Sequence, residues 1–246
     1  ALRAAGAKTI GMDIIFAEPS NPGDDAALAA ALGPDVVLAG DETLVTSAQA
    51  DQFVRVLPLQ MFSDAYALTG IASITLDRDG VLRRLPPYDD GFAATVATAA
   101  GFEISVGVPN KLLQVYGPAR TYPTVSYYQA LEPERFLPDG FFKDRIVLVG
   151  LSLQTAATVE KGGADAYATP YTVHTGHLTA GAEIQATIVD NIRLGSSVTE
   201  ADQALRQLLL FGAIVIGALL VRKDTGWKTV FYNSVALVVM LVGAYA

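Results

Sequence analysis

Thr9-Ile10-Gly11-Met12-Asp13-Ile14-Ile15-Phe16 is a short apolar run of strand length with one acid inside it. It is followed by Ala26-Ala27-Leu28-Ala29-Ala30-Ala31-Leu32 and then by Asp35-Val36-Val37-Leu38-Ala39-Gly40. The first and last runs read as strands covered on both faces, because neither alternates polar with apolar positions. The alanine-rich middle reads as a helix, capped by Asp24 or Asp25 after Pro19 and Pro22 and stopped by Gly33. A strand, a helix and a second buried strand make a β-α-β unit with a parallel pair. Upstream, Ala1 to Lys8 reads as the end of a helix.

Working outward, Ile71 to Leu76 and Val81 to Pro86 flank Asp77-Arg78-Asp79-Gly80, and Asp-Gly between strand-like runs predicts a hairpin. The tetrapeptide also looks like the opening of a calcium loop, but the closing Glu of such a loop is missing, so a turn is the expectation. Gly91 to Gly101 is a compact helix, Leu112 to Tyr116 a strand, Tyr127 to Leu131 a short helix, and Arg145 to Gly150 another buried strand. In Gly181 to Asn191 and the residue after it, Ile184, Ile188 and Ile192 recur every four residues and give one apolar helical face. The expected fold class is α/β, a mixed and largely parallel sheet flanked by helices, followed by a transmembrane helical hairpin.

That hairpin comes from two uncharged apolar runs, Gln207 to Val221 and Thr229 to Ala246. A helix crossing the hydrocarbon core needs about 20 apolar residues, within roughly 17–25. The second run fits; the first is short, but Arg206 and Arg222 can extend toward headgroups on either side of it. A buried core helix is the alternative reading. The expected domains are therefore a soluble domain over 1–204 and two spans over 205–221 and 229–246. The loop between the runs holds Arg222, Lys223 and Lys228 against Asp224, which keeps it cytoplasmic and puts residues 1–204 on the other side.

Charge agrees with that placement. The chain has 17 Lys and Arg and 25 Asp and Glu; four of the basic residues (Arg206, Arg222, Lys223, Lys228) and one acid (Asp224) lie from position 206 on, leaving 13 against 24 before it. Such an acidic domain excludes nucleic acid and anionic lipid headgroups as partners. With no cysteine there is neither a disulfide framework nor a thiolate metal site, yet a domain of this length can bury a sufficient core without them. The chain opens inside a helix-like stretch and ends inside an apolar run, so an upstream anchor and a downstream continuation are expected.

Chemistry-bearing motifs are few. Gly150-Leu151-Ser152-Leu153-Gln154 follows a buried strand, where a nucleophile elbow would hold its serine, and Asp165, His174 and His177 supply a Ser, Asp, His order. Gln154 replaces the second glycine of that elbow, which favours a strand-ending loop. His174 and His177 with Glu183 could ligate zinc, but the surrounding Thr, Gly and Ala favour a solvated pair. Asp13 and Glu18 flank the end of the first strand, and ligands of open α/β sheets bind outside the carboxyl ends of strands. Neither a P-loop nor a GxGxxG turn follows any predicted strand.

Several of these segments together resemble the CHASE domain of the second type, the cyclase and histidine-kinase-associated sensory extracellular domain of bacteria. The matching residues are Gly11 to Ser20 (GMDIIFAEPS), Asp79 to Arg84 (DGVLRR), Tyr116-Gly117-Pro118, Phe142 to Gly150 (FKDRIVLVG), Thr169-Pro170, Gly181 to Ala186 (GAEIQA) and Asp190-Asn191-Ile192. The chain departs from the usual pattern at Ala180 and Gln185, where proline and histidine are common, and this weakens a metal role for that loop. The resemblance implies an extracytoplasmic sensor, three membrane helices and a cytoplasmic output domain, often an adenylate or guanylate cyclase and otherwise a kinase or diguanylate cyclase. It implies residence in a bacterial inner membrane with residues 1–204 in the periplasm, and an extracytoplasmic ligand of unknown identity. A homodimer is expected from receptor logic, no catalytic residue, metal or cofactor is implied, and Ile184 to Arg193 is the natural lever toward the first span. Ala213 and Gly217 form a small-xxx-small pair that could bring two spans together. Asp13, Glu18, Ser152, Thr169 and Glu183 are the candidate ligand-binding residues. A membrane-tethered periplasmic serine hydrolase using Ser152, and a structural subunit of a membrane complex, are the competing readings.

Overall fold

A computed structural model describes residues 1–46, 50–103, 111–152, 157–159, 165–200, 202–223, 226, 231 and 234–235. The chain divides into two units, Ala1–Thr199 and Glu200–Ala246. In the first unit, β1 (Thr9–Asp13), α1 (Pro22–Ala31) and β2 (Val36–Thr46) form the expected unit, with β1 and β2 parallel. Then come β3 (Asp51–Val56), α2 (Gln60–Asp64), β4 (Leu68–Ile71), α3 (Phe92–Ala99), β5 (Lys111–Leu112), α4 (Tyr127–Leu131), α5 (Pro133–Phe136) and β6 (Ile146–Gly150). The unit ends with β7 (Ala166–Tyr167), α6 (Thr172–Thr175), β8 (Thr179–Ala180), α7 (Gly181–Leu194) and β9 (Val198–Thr199).

Among the described residues the main sheet has five strands in the order β3-β2-β1-β6, with β4 also on β2. The pairs β1·β2, β1·β6 and β2·β4 are parallel and β2·β3 is antiparallel. Alternation along β2 sorts the two cores: Val36 and Leu38 pack with Phe62 and Ala67 on one face, Val37 and Ala39 with Phe92, Val96, Ile184 and Ile188 on the other. The spacing of Ile184, Ile188 and Ile192 therefore did locate the apolar face of α7. Helices on both faces explain why these strands are continuously apolar.

Local differences have local causes. Asn21, not Asp24 or Asp25, caps α1: its side chain accepts from Gly23 N at 3.0 Å, and Pro22 takes the first helical position. Asp25 instead accepts from the backbone N–H and hydroxyl of Ser20. Ala1 to Ala7 is a single turn closed by Ala5 N to Ala1 O, ending at Gly6 with φ 86°. The Asp77–Gly80 turn forms, with Gly80 at φ 77°, but the flanking runs make isolated bridges (Val81 with Ala168, Arg84 with Leu112) rather than a hairpin ladder. Arg83 holds that turn through both oxygens of Asp79 and one of Asp77. The predicted strand at Leu112 shrinks to β5, because Asn191 takes over its neighbour: the Asn191 side chain accepts from Gln114 N and donates to Gln114 O, each at 2.8 Å.

In the second unit, α8 (Gln203–Lys223) is continuous over the first apolar run. Its side chains are described as far as Gly217, and among the described residues no helix is long and apolar enough to cross a membrane. The second run, 229–246, lies almost wholly outside the described residues.

Candidate functional site

From β1 the chain crosses to β2 on one side, while β6 lies on the other, so the switch point of the parallel sheet falls between β1 and β6. The crevice outside the carboxyl ends at such a point is where open α/β sheets take ligands. Asp13, the last residue of β1, stands there opposite Gly150, the last of β6. Asp13 alternates onto the same face as Gly11, whose missing side chain admits Phe92 and Val96 of α3, so its carboxyl points to the α3/α7 side.

The first turn of α7 closes over this point because two glycines let it. A Cβ on Gly150 would lie 2.8 Å from that of Ala182 and 3.2 Å from that of Asp13. A Cβ on Gly181 would run into the Asp165 carboxylate. Asp165 itself adopts a left-handed backbone, φ 51°, and its carbonyl accepts from Gly181 N at 2.8 Å, so strand, loop and helix are tied at one residue. The Tyr167 phenol lies close enough to the Asp165 carboxylate for each to influence the other's titration.

Electrostatics separate this cluster from the other acids. Burial, and secondarily the Asp165 charge, push the Asp13 carboxyl up to about 6. Burial also raises Asp165, with the nearby Tyr167 phenol opposing. The Tyr167 phenol is pushed up to about 12 by burial and by Asp165. Among the described residues no basic side chain pairs with either carboxyl. Desolvated carboxyls favour their neutral form, and one that ionises favours a hydrogen-bond donor or a positive group beside it. No group of three or more metal-ligating side chains occurs among the described residues.

Of the nominated residues, only Asp13 belongs to this cluster. Glu18 is exposed and has no part in it. Ser152 is exposed two residues beyond β6, with Leu153 to Ala156 outside the described residues. Neither His174 nor His177 hydrogen-bonds to it among the described residues, and both histidines are exposed. Thr169 is 2% exposed and belongs to a knot: its N–H donates to Thr172 Oγ1, which donates to the His177 carbonyl. Glu183 is turned to the Gly117-Pro118 loop, where its carboxylate accepts the N–H groups of Arg120 (2.8 Å), Thr121 (2.7 Å) and Tyr122 (3.3 Å). On the same helix, Gln185 Nε2 donates to Ala72 O and, about two turns on, Asp190 accepts from the Tyr122 hydroxyl.

Asp165, Tyr167 and Gly181 are absent from the sequence-based nominations. Asp165 entered only as the middle member of a serine triad. A signal did exist, since a glycine at the first position of an otherwise ordinary helix marks a close approach. Its partner could not be read, because the contact joins β7 to α7 through tertiary packing. A surface groove of about 820 Å³ between Ala1–Gly6 and Leu131–Lys143 shares no residue with the acid cluster.

With this geometry in place, comparison with protein families finds one model, described as the CHASE2 domain, matching residues 1–222. No curated protein and no solved structure matches the chain.

Proposed function

The chain belongs to the CHASE2 domain family, a family of sensory extracellular domains, and on that membership we propose that it is the extracytoplasmic input module of a membrane-bound receptor that acts as a homodimer. The family match carries the reading: it covers the whole α/β unit and runs on to residue 222, through the first apolar run. In this reading 205–221 and 229–246 cross a bacterial inner membrane as a hairpin, residues 1–204 face the periplasm, and a nucleotide cyclase follows on the cytoplasmic side. The acid cluster at the sheet switch point is the place where a proton or a cationic ligand biases the domain. Asp13 and Asp165 sit against the first turn of α7, and only eight residues separate the end of α7 from α8. A ligand shifts such a receptor only through unequal affinity for its two arrangements, and a carboxyl whose burial differs between them supplies that inequality.

The absence of cysteine gives a clean topology test. In intact cells with a permeable outer membrane, a membrane-impermeant maleimide is expected to label Val173→Cys, at a position 82% exposed. It should leave Lys223→Cys unlabelled until the inner membrane is opened. Labelling of both in intact cells, or of neither, would sink the hairpin. Cyclic nucleotide production by the full-length protein in membranes, compared with its Asp13→Asn variant across pH 5 to 8, tests the output.

A further inference from the structure

Beyond Gly40, β2 leaves the core and continues as an arm: residues 43–46 of β2 and all of β3 are exposed. Phe53 is 71% exposed, with Leu44 at 48% directly across the ladder. Among the described residues β3 pairs with β2 alone, and the N–H and C=O groups of 51–56 make no backbone bond outside that ladder. An open edge with exposed apolar side chains is a template for another strand. From these observations we infer that β3 pairs antiparallel with β3 of a second copy of this chain, about a two-fold axis at Phe53. This deepens the homodimeric part of the proposed function, on which it rests, by naming the surface.

Self-complementarity of the segment selects that occupant and that register. Asp51, Phe53 and Arg55 share one face of β3, the face that also carries Leu44 and Glu42. A two-fold axis perpendicular to the sheet keeps faces matched only when it passes through a residue. Centred on Gln52 or Val54, it leaves Asp51 or Arg55 against Phe53. Centred on Phe53, it sets each Asp51 opposite the other copy's Arg55 and the two phenylalanines opposite each other. The joined face then runs Leu44, Phe53, Phe53, Leu44 as an apolar band with an acid-base pair at either side, the kind of cross-strand pairing that stabilises sheets. Arg55 is already held in position by Glu42 and Asp90, both at 2.6 Å, so little side-chain order is lost on pairing. An isologous contact of this sort closes at two copies through β3.

The test uses the full-length protein in membranes with a single introduced cysteine. At the axis, facing Cα atoms of an antiparallel pair lie about 4.5–5.5 Å apart, within disulfide reach. Phe53→Cys should therefore cross-link to itself under mild oxidation, whereas Val173→Cys should not. Adding Asp51→Arg places Arg opposite Arg55 twice and should slow the cross-link about tenfold; because the arm lies outside both cores, that change leaves the fold intact. Equal cross-linking of both cysteines, or no effect of Asp51→Arg, overturns the inference. A dimer mass in detergent without Phe53→Cys cross-linking overturns it too, while leaving the homodimeric receptor standing. A monomer mass with Phe53 cross-linked to another protein removes both.

Discussion

The molecule contains two pairs of neighbouring carboxyls that its folding treats in opposite ways. At the Asp77–Gly80 turn, Asp77 and Asp79 are met by Arg83 and Arg84, with Arg83 2.7 Å from Asp79 and 3.0 Å from Asp77. The Asp79 carboxyl accordingly falls to about 2, mainly through Arg83. At the sheet switch point, Asp13 and Asp165 have burial and each other, and Asp13 rises to about 6. The difference teaches where a binding function can reside. The first pair is already satisfied by its own chain and fastens a turn, whereas the second is desolvated and has no basic partner among the described residues.

The largest effect is expected where the comparison is broken sterically. Gly181→Val directs a side chain into the Asp165 carboxylate and should cost about 3 kcal/mol in denaturant unfolding, the upper end for overpacking. It should also separate Asp165 from Tyr167 and lower the Asp13 titration midpoint, readable by carboxyl NMR. An unfolding midpoint within error of the parent would show that α7 does not seal this site.

Next comes the protonation of Asp13. Its folded-state value is raised above the unfolded one, so the stability it contributes is full below about pH 4 and is lost as pH rises through about 6. Asp13→Asn has no such loss. It should be more stable than the parent by about 2 kcal/mol at pH 8 and nearly equal to it at pH 4. Parallel stability-pH curves for the two proteins would remove Asp13 as the group that titrates.

The sequence made the β-α-β unit legible because strongly apolar runs of strand length flank an alanine-rich helix, and the period of Ile184, Ile188 and Ile192 gave the core face of α7. The arm was not legible: β3 reads Asp-Gln-Phe-Val-Arg-Val, a strand that no buried partner demands. Likewise the acid at position 13 was visible, but its partner lies 152 residues away at a left-handed position between segments with no periodicity. Glu183 was nominated from a matched motif, and the structure explains the motif differently. Together with Tyr116-Gly117-Pro118 it forms one tertiary unit, a carboxylate organising a loop. Glu183→Gln, which retains an acceptor but turns an amide toward three N–H donors, should lower stability by about 1.5 kcal/mol. Unchanged thermal unfolding would mean that the loop holds its shape without Glu183.

The smallest effect should come from the satisfied acid pair, and it sharpens the comparison most. Arg83→Met removes the cation facing Asp79, leaving Arg84 on Asp77, and should return the Asp79 carboxyl from about 2 toward the ordinary aspartate range. Because both partners lie at the solvent surface, the unfolding midpoint should barely move: exposed ion pairs exchange their interaction for water at little net change. At the switch point a titration shift and a stability change must move together, since the carboxyls there are desolvated. At the turn they should come apart. A large stability loss in Arg83→Met, scaling with the change at Asp79, would mean that the turn is as strongly coupled to the core as the switch point, and the contrast between the two pairs would no longer mark one of them as the sensing site.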